Sequence, residues 1–372
     1  MIIVLGHASL INEKIYEAPV NTYVETLIRQ KRDFVFIRHF IDGNLKSTVY
    51  CYKKGQLVSQ KKLFIISRIS PLRYFTEIVS SFLYLLRYKN AEVMIAADPL
   101  NAYTGLLLKR FRRLKKLIFV TCDYSERRFD NSILNWIFFK VDRMAALGSD
   151  QIWNVSKRIQ EVRRSMGFSD KKNILVPNVP SSNYKQYVDN KRNKFCMVTL
   201  GLLGDQLEFD YLFEAIKDLL KKYPNLILKI IGNGPKEEYL HQKAKKMAIE
   251  ESIIFTGHLE HDKALEHISK SGIGLALYNG NWNFNFFGDS MKCREFFCFG
   301  LPVITTDTHS TVEDIRENNA GIVVEMNKKS YIGAVEEILN NYGLYSKNSS
   351  VLANKYEDIH NKLLKRIIGK DV

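Results

Sequence analysis

Apolar residues recur in two rhythms along this chain. Short continuous runs, rich in branched residues and bounded by Gly, Pro or Asn, predict buried strands, and longer runs with apolar positions three and four apart predict helices. In the first half the strand runs are IIVLG (2–6), FVFIRHF (34–40), VMIAA (93–97), LIFVT (117–121), QIWNV (151–155) and NILVP (173–177). Amphipathic segments such as 71–88 and 131–147 lie between them. Residues 48–64 read as a hairpin turning at Lys54-Gly55, inserted into the rhythm. Residues 177–194 break it, being polar, charged and Pro-containing, so the linker is placed there and divides the chain into 1–180 and 181–372. Strand runs resume at 195–204, 226–235, 252–259, 273–280, 302–306 and 321–325. Beyond 325 only helical pattern remains, including 344–367, and this last helix is expected to cross back to the first domain. The alternation predicts an α/β protein of two doubly wound, Rossmann-like domains facing across a cleft, with ligands bound at strand C-termini.

Composition narrows the class. A chain of 372 residues with 46% hydrophobic and 26% charged positions is long enough for two such domains. No apolar run is long enough for a transmembrane helix, and the N-terminus reads as a first strand rather than a signal peptide. The 5 cysteines are scattered without CxxC spacing, so neither a disulfide frame nor a zinc site is expected, and a reducing cytoplasm is the natural home. The net charge of +15 is uneven: residues 1–180 hold 30 Lys+Arg against 15 Asp+Glu, while the remainder is balanced at 25 and 25. A basic half points to membrane headgroups, nucleic acid or a phosphorylated substrate, or simply to a solvated basic surface. Within it, 106–119 packs Lys109, Arg110, Arg112, Arg113, Lys115 and Lys116 among leucines and phenylalanines. A helix ending in such a basic loop suits an anionic bilayer. No recognised nucleic-acid module accompanies it, so nucleic acid is not an expected partner.

The candidate chemistry concentrates in GDSMKCREFFCFGLPVITT (288–306). Asp289 or Ser290 suits an N-cap, Gly300 a left-handed helix stop, and Pro302 the entry to a strand. Lys292 and Glu295 share one face. They are either a surface pair of little energetic weight or a ligand site. In the second case the helix start at Ser290, Met291 and Lys292 binds phosphate, and Glu295 accepts two ribose hydroxyls. VLGHASL (4–10) reads as a strand and a Gly6 turn, with His7 either a ligand of donor or acceptor or an exposed loop histidine. VTCDYSERRFDN (120–131) places Asp123 just past a buried strand, as a site residue or as part of a helix-capping network.

The 288–306 segment resembles the nucleotide-sugar motif of the large retaining glycosyltransferase family of GT-B architecture, the family-four or group 1 type, roughly Ser-Pro-x-Lys-x-x-Glu-Tyr-x-Ala-x-Gly-x-Pro-Val. Lys292, Glu295, Gly300, Pro302 and Val303 occupy its fixed places. LKIIGNGP (228–235), IIFTGHL (253–259), TVEDIRENNAGIVVE (311–325) and VPNVP (176–180) resemble further family segments in the same order. The resemblance implies transfer of a sugar, with retention and without a metal or other cofactor, from a UDP or GDP donor. Judged from the basic first half, the expected acceptor is lipid-linked or a growing surface polysaccharide, and the expected place of action the cytoplasmic face of the plasma membrane. The resemblance assigns Lys292 to the diphosphate, Glu295 to the ribose, the Gly257-His258 loop to the neighbourhood of the base, and Asp123 to the donor sugar.

Two departures are visible. The family's second glutamate falls at position 287, which is Phe, so Asp289 is the nearest carboxylate. The bases that clamp the diphosphate are missing from TLGLLGDQLEFD (199–210), which leaves Lys292, the Gly201 and Gly204 amides and the helix end to meet the phosphates. These departures keep other readings in view: an epimerase or hydrolase of the same architecture, or a non-catalytic protein that binds sugar nucleotides or membranes.

Overall fold

The computed structural model describes every residue except 12–13, 17–18, 42–44, 65–69, 181, 188–191, 281–282 and 369–372. The chain forms two compact units, residues 1–178 with 359–372, and residues 179–358.

The first unit runs β1 (Ile2–Ile11), β2 (Lys14–Tyr16), α1 (Val20–Arg29), β3 (Phe34–Phe40), β4 (Thr48–Lys53), β5 (Gln56–Lys62) and α2 (Ser70–Leu85). It continues β6 (Ala91–Ala97), α3 (Pro99–Arg110), β7 (Leu114–Thr121), α4 (Ser132–Gly148), β8 (Gln151–Asn154), α5 (Lys157–Ser165) and β9 (Asn173–Leu175). The strand order is β5-β4-β3-β1-β6-β7-β8-β9, with β2 paired to β1. All neighbours from β3 to β9 are parallel. Such strands are covered on both faces, which is why they read as unbroken apolar runs. One face packs Leu5, Met94 and Phe119 against Leu85 of α2, Leu108 of α3 and Ala145 of α4. The other packs Val4, Phe36 and Ile118 against Tyr23 and Leu27 of α1 and against Leu364. His360 stacks on Tyr23 with ring centres 5.1 Å apart.

The inserted hairpin is β4–β5, antiparallel and closed at Lys54 (φ 49°) and Gly55 (φ 74°). Two left-handed residues are the geometry of the tight turn whose twist matches the strands. The outer strand β5 is exposed throughout, and Lys61 and Lys62 guard that edge.

The second unit runs β10 (Asn193–Leu200), α6 (Asp210–Leu219), β11 (Ile227–Ile231), α7 (Glu237–Lys246), β12 (Ile253–Gly257), α8 (His261–Ser269) and β13 (Ser271–Ala276). There follow α9 (Asn283–Phe287), α10 (Met291–Cys298), β14 (Val303–Thr306), α11 (Thr311–Asn318), β15 (Gly321–Val324), α12 (Lys328–Asn340) and α13 (Tyr342–Ile368), whose residues from Ile359 belong to the first unit. Its sheet, β12-β11-β10-β13-β14-β15, is parallel throughout. The order reverses direction on either side of β10, so the unit is doubly wound and its strand C-termini form the natural ligand edge. Among the described residues no helix is long and apolar enough to cross a membrane.

Two local expectations are corrected here. β1 does not end in a turn at Gly6: Gly6 and His7 lie inside it, paired with Arg38 and His39 of β3. Gly6 is buried, and a Cβ there would come 2.5 Å from Val20, so its smallness lets α1 close on the sheet. The basic run 106–116 is not one helix and loop: α3 stops at Arg110, and Lys115 and Lys116 lie on β7.

Candidate functional site

In the second unit three loops meet at the ends of β10, β11 and β12. The Gly201 amide donates to the Ile231 carbonyl at 2.9 Å, Gly232 to Gly257 at 2.8 Å, and Leu203 to Asn233 at 2.9 Å. This approach demands glycine. Gly232 has φ 132°, and a Cβ there would lie 2.0 Å from the Gly201 carbonyl oxygen. The Gly201 and Gly204 amides are therefore not available to phosphates as expected: the first serves Ile231 and the second the Leu202 carbonyl at 3.1 Å. A neighbouring strand consumes the first, which local sequence does not reveal, and its own loop consumes the second. Gly257 (φ 67°) has open space where a Cβ would be, and His258 beside it is exposed. Pro235 precedes α7 in a turn rather than occupying its first position.

α10 begins where the 288–306 segment predicts. Ser290 is its N-cap, accepting from the Cys293 amide at 3.4 Å. Gly300 beyond its end has φ 65°. The Ser290 hydroxyl is also paired with the Tyr278 hydroxyl at 2.9 Å, so this side chain is a cap rather than a free ligand group. The Met291 and Lys292 amides precede the first helical hydrogen bond and have no partner within the helix. At this positive dipole end they suit an anion.

Lys292 directs its amine to the Gly201 loop. A Cβ on Gly201 would sit 2.9 Å from Nζ, which lies 5.0 Å from the Tyr278 ring centre. Burial lowers the Lys292 amine to about 8, with Cys293 and Glu295 resisting. Burial raises Glu295 to about 7, with Lys292 resisting. Among the described residues neither side chain has a hydrogen-bond or ion-pair partner.

The contrast with Arg294, between them on the helix, is informative. Its guanidinium binds Asp289 through Nε and Nη2 at 2.9 and 2.7 Å and reaches Asp314 through Nη2 at 2.6 Å. Thr311 donates to Asp289 at 2.9 Å, and the Tyr356 hydroxyl donates to Asp314 at 2.5 Å. Asp289 was expected as the carboxylate nearest a donor sugar. Its side chain is only 1% exposed and anchors α10 instead, a correction that follows from its arginine and threonine partners.

In the first unit His7 is neither a loop residue nor solvated. Nδ1 pairs with Asp98 at 2.5 Å and Nε2 with Glu77 at 3.0 Å. Asp98 caps α3, accepting from the Leu100 and Asn101 amides at 2.9 and 3.0 Å, and adopts φ 71°. That conformation is unusual for a residue with a Cβ and persists only where partners over-determine it. Glu77 is also held by Arg73 Nε at 2.9 Å. The sequence reading missed Glu77, Asp98 and Arg73; the one local signal was Asp98-Pro99 at a strand-to-helix junction, an N-cap with Pro following. Asp123, past the end of β7, is exposed and paired with Arg128 at 2.7 Å.

This cluster sets a pH expectation. Burial opposes charge on His7, but Asp98 and Glu77 outweigh it and raise the imidazole to about 10. His39, its ring centre 5.2 Å away, is lowered to about 4 because burial outweighs Glu77. Since the folded value of His7 lies above the unfolded value of about 6.5, its stabilisation is complete below pH ~6.5 and is lost as pH rises through about 10. Burial raises Glu77, but the hydrogen bond from His7 and the nearby cations outweigh it and lower it to about 2, so its contribution is present above pH ~4.5 and lost as pH falls towards that value. Nitrogen NMR of histidine-labelled protein at pH 8 should show His7 as imidazolium and His39 as neutral. A neutral His7 at that pH contradicts the charged clamp.

Residues 182–356 match the family model for Glycosyl transferases group 1. An uncharacterized glycosyltransferase of Haemophilus influenzae is 29% identical over 175 residues, 46% of this chain and 45% of that protein. A chitobiosyldiphosphodolichol beta-mannosyltransferase of Dictyostelium discoideum is 23% identical over 130 residues, 35% of this chain and 25% of that one. The matched residues thus span less than half the length of these relatives. Among solved structures, the lipopolysaccharide-biosynthesis glycosyltransferase WaaG superposes with TM-score 0.64 at 12% identity, covering 99% of this chain and 100% of that one. Sucrose-phosphate synthase of Thermosynechococcus elongatus gives TM-score 0.63 at 12% identity, with 98% and 99% coverage. Anabaena HepE, solved with UDP, gives 0.54 at 13%, with 80% and 82% coverage. The fold is that of the GT-B glycosyltransferases.

Proposed function

We propose, from the match of residues 182–356 to the family model for Glycosyl transferases group 1, that this chain transfers a sugar from a nucleoside diphosphate sugar to a lipid-linked or polysaccharide acceptor, with retention and without a metal. The observation that carries the reading is the Lys292–Glu295 pair, two partly buried charges without a hydrogen-bond or ion-pair partner, beside an arginine held by two carboxylates. Burying a charge unpaired is costly, so such a pair makes sense only when a ligand completes it. A nucleoside diphosphate does so: its phosphates meet Lys292 and the Met291 and Lys292 amides, and its ribose hydroxyls donate to Glu295. As the bond to the sugar breaks, charge grows on the terminal phosphate, where a preoriented ammonium and helix end stabilise it. UDP in HepE supports a nucleoside diphosphate donor here, read as UDP- or GDP-linked. In this reading the acceptor is met at the cytoplasmic face of the membrane.

One relative's name specifies a beta-mannosyl product, so the product anomer is the decisive test. The protein is incubated in excess chelator with sugar nucleotides and lipid-linked acceptors. The reading expects acceptor-dependent release of nucleoside diphosphate and an α-linked product from an α-linked donor. An inverted product overturns retention, and activity restored only by manganese or magnesium overturns metal independence. Free sugar or an epimer without acceptor indicates a hydrolase or epimerase. Binding without turnover, which Phe287 and the engaged Asp289 favour, indicates a sugar-nucleotide binding protein.

A further inference from the structure

The outer face of the α2–α3–α4 layer has an unusual composition. These three helices share one face of the first sheet, with α3 packed between the other two. α4 buries Ala145 and Ala146 inward, yet turns Ile133, Trp136, Ile137, Met144 and Leu147 outward at 41 to 69% exposure. Their spacing is that of one helical stripe. α2 does the same with Leu72, Phe75, Val79 and Leu83, at 36 to 62%. Phe111, just past α3, is exposed and contacts Phe82 with ring centres 5.3 Å apart.

The exposed charges on the three helices have one sign, while the exposed carboxylates nearest them, Asp130 and Asp150, flank the ends of α4. α3 contains no carboxylate, and the single acids of α2 and α4, Glu77 and Asp142, are buried and held by Arg73 and Arg163. The exposed charges are Arg110, Lys140 and Arg143, with Arg112 beside Phe111. Lys140 Nζ lies 4.6 Å from the Trp136 ring centre, so cation and aromatic are interleaved rather than segregated.

We propose that this helix layer is a docking face for an anionic phospholipid bilayer, with the α4 and α2 stripes entering the boundary between headgroups and acyl chains. An apolar stripe without cations suits any hydrophobic partner, and a basic patch without apolar residues suits any polyanion. Apolar side chains, an amphipathic tryptophan and helix faces without exposed carboxylates of their own together match an anionic interface. The contact thereby moves from the 106–116 run, whose last residues from Leu114 lie on β7, to the helix faces. It does not depend on the transferase reading, because the test uses no nucleotide.

The test mixes the full chain with vesicles of phosphatidylcholine containing phosphatidylglycerol, and with phosphatidylcholine alone. The proposal expects sedimentation with the anionic vesicles only, release at 1 M salt, where screening shortens to about 3 Å, and a blue shift of tryptophan emission that Trp136→Phe removes. Ile133→Ser with Leu147→Ser should lower partitioning at least tenfold. Lys140→Glu with Arg143→Glu should lower it on anionic vesicles by a further order of magnitude, each cation being worth about fivefold. All these positions are exposed, so circular dichroism should be unchanged. Equal partitioning of wild type and variants, or equal binding to neutral vesicles, overturns the proposal. So does a concentration-dependent dimer, abolished by the same changes, in protein that ignores vesicles.

Discussion

Replacing Arg294 with Met is expected to destabilise the protein by about 3–5 kcal/mol, the cost of breaking a buried ion pair from one side. The Asp289 and Asp314 side chains, 1% and 4% exposed, would be left facing each other without a cation. Burial alone penalises charge on this arginine, and it stays charged because the two aspartates outweigh that penalty. The urea midpoint should fall by about 1.5–2.5 M for a slope of roughly 2 kcal/mol per molar. Neutralising the partners in the same chain, with Asp289→Asn and Asp314→Asn, should recover part of the loss. An unchanged midpoint for the single variant would remove the Arg294 network as the anchor of α10.

Lys292→Met is expected to behave in the opposite way. Turnover should fall by about two to three orders of magnitude, as when a single preoriented donor to a developing oxyanion is lost. Stability should hold or rise. Burial lowers this amine to about 8, so the folded state binds its proton less tightly than the unfolded chain does, and the charge opposes folding. A functional cation held at a cost to stability shows this signature; a structural one shows the reverse. If the variant is destabilised and turns over normally, Lys292 belongs to the scaffold.

Much of the fold was legible because parallel strands are buried on both faces and leave unbroken apolar runs. β3 coincides with its run from Phe34 to Phe40, and the β4–β5 hairpin turns at Lys54-Gly55 as read. α10 was legible for a different reason: its stop and start are local, set by Ser290 and by Gly300 in the left-handed region. What escaped depends on residues far apart in sequence. His7 meets Glu77 and Asp98, 70 and 91 positions away, and no local pattern reports either contact. Asp289 looked free because its threonine partner, Thr311, sits 22 positions on in α11. Gly201 looked like a phosphate donor because the competing carbonyl, Ile231, belongs to the next strand. The last helix was expected to cross back to the first domain, and residues from 359 group with the first unit, where Leu364 packs beside Tyr23.

The central claim is that the β10–β12 loops and the start of α10 hold a nucleoside diphosphate sugar. Calorimetric titration of the full chain with UDP, GDP and their common sugar conjugates tests it most directly, with Lys292→Met titrated in parallel. The account predicts that at least one conjugate binds wild type at a single site and binds the variant at least tenfold more weakly. Binding of none of them to wild type, or equal binding to both proteins, would contradict it.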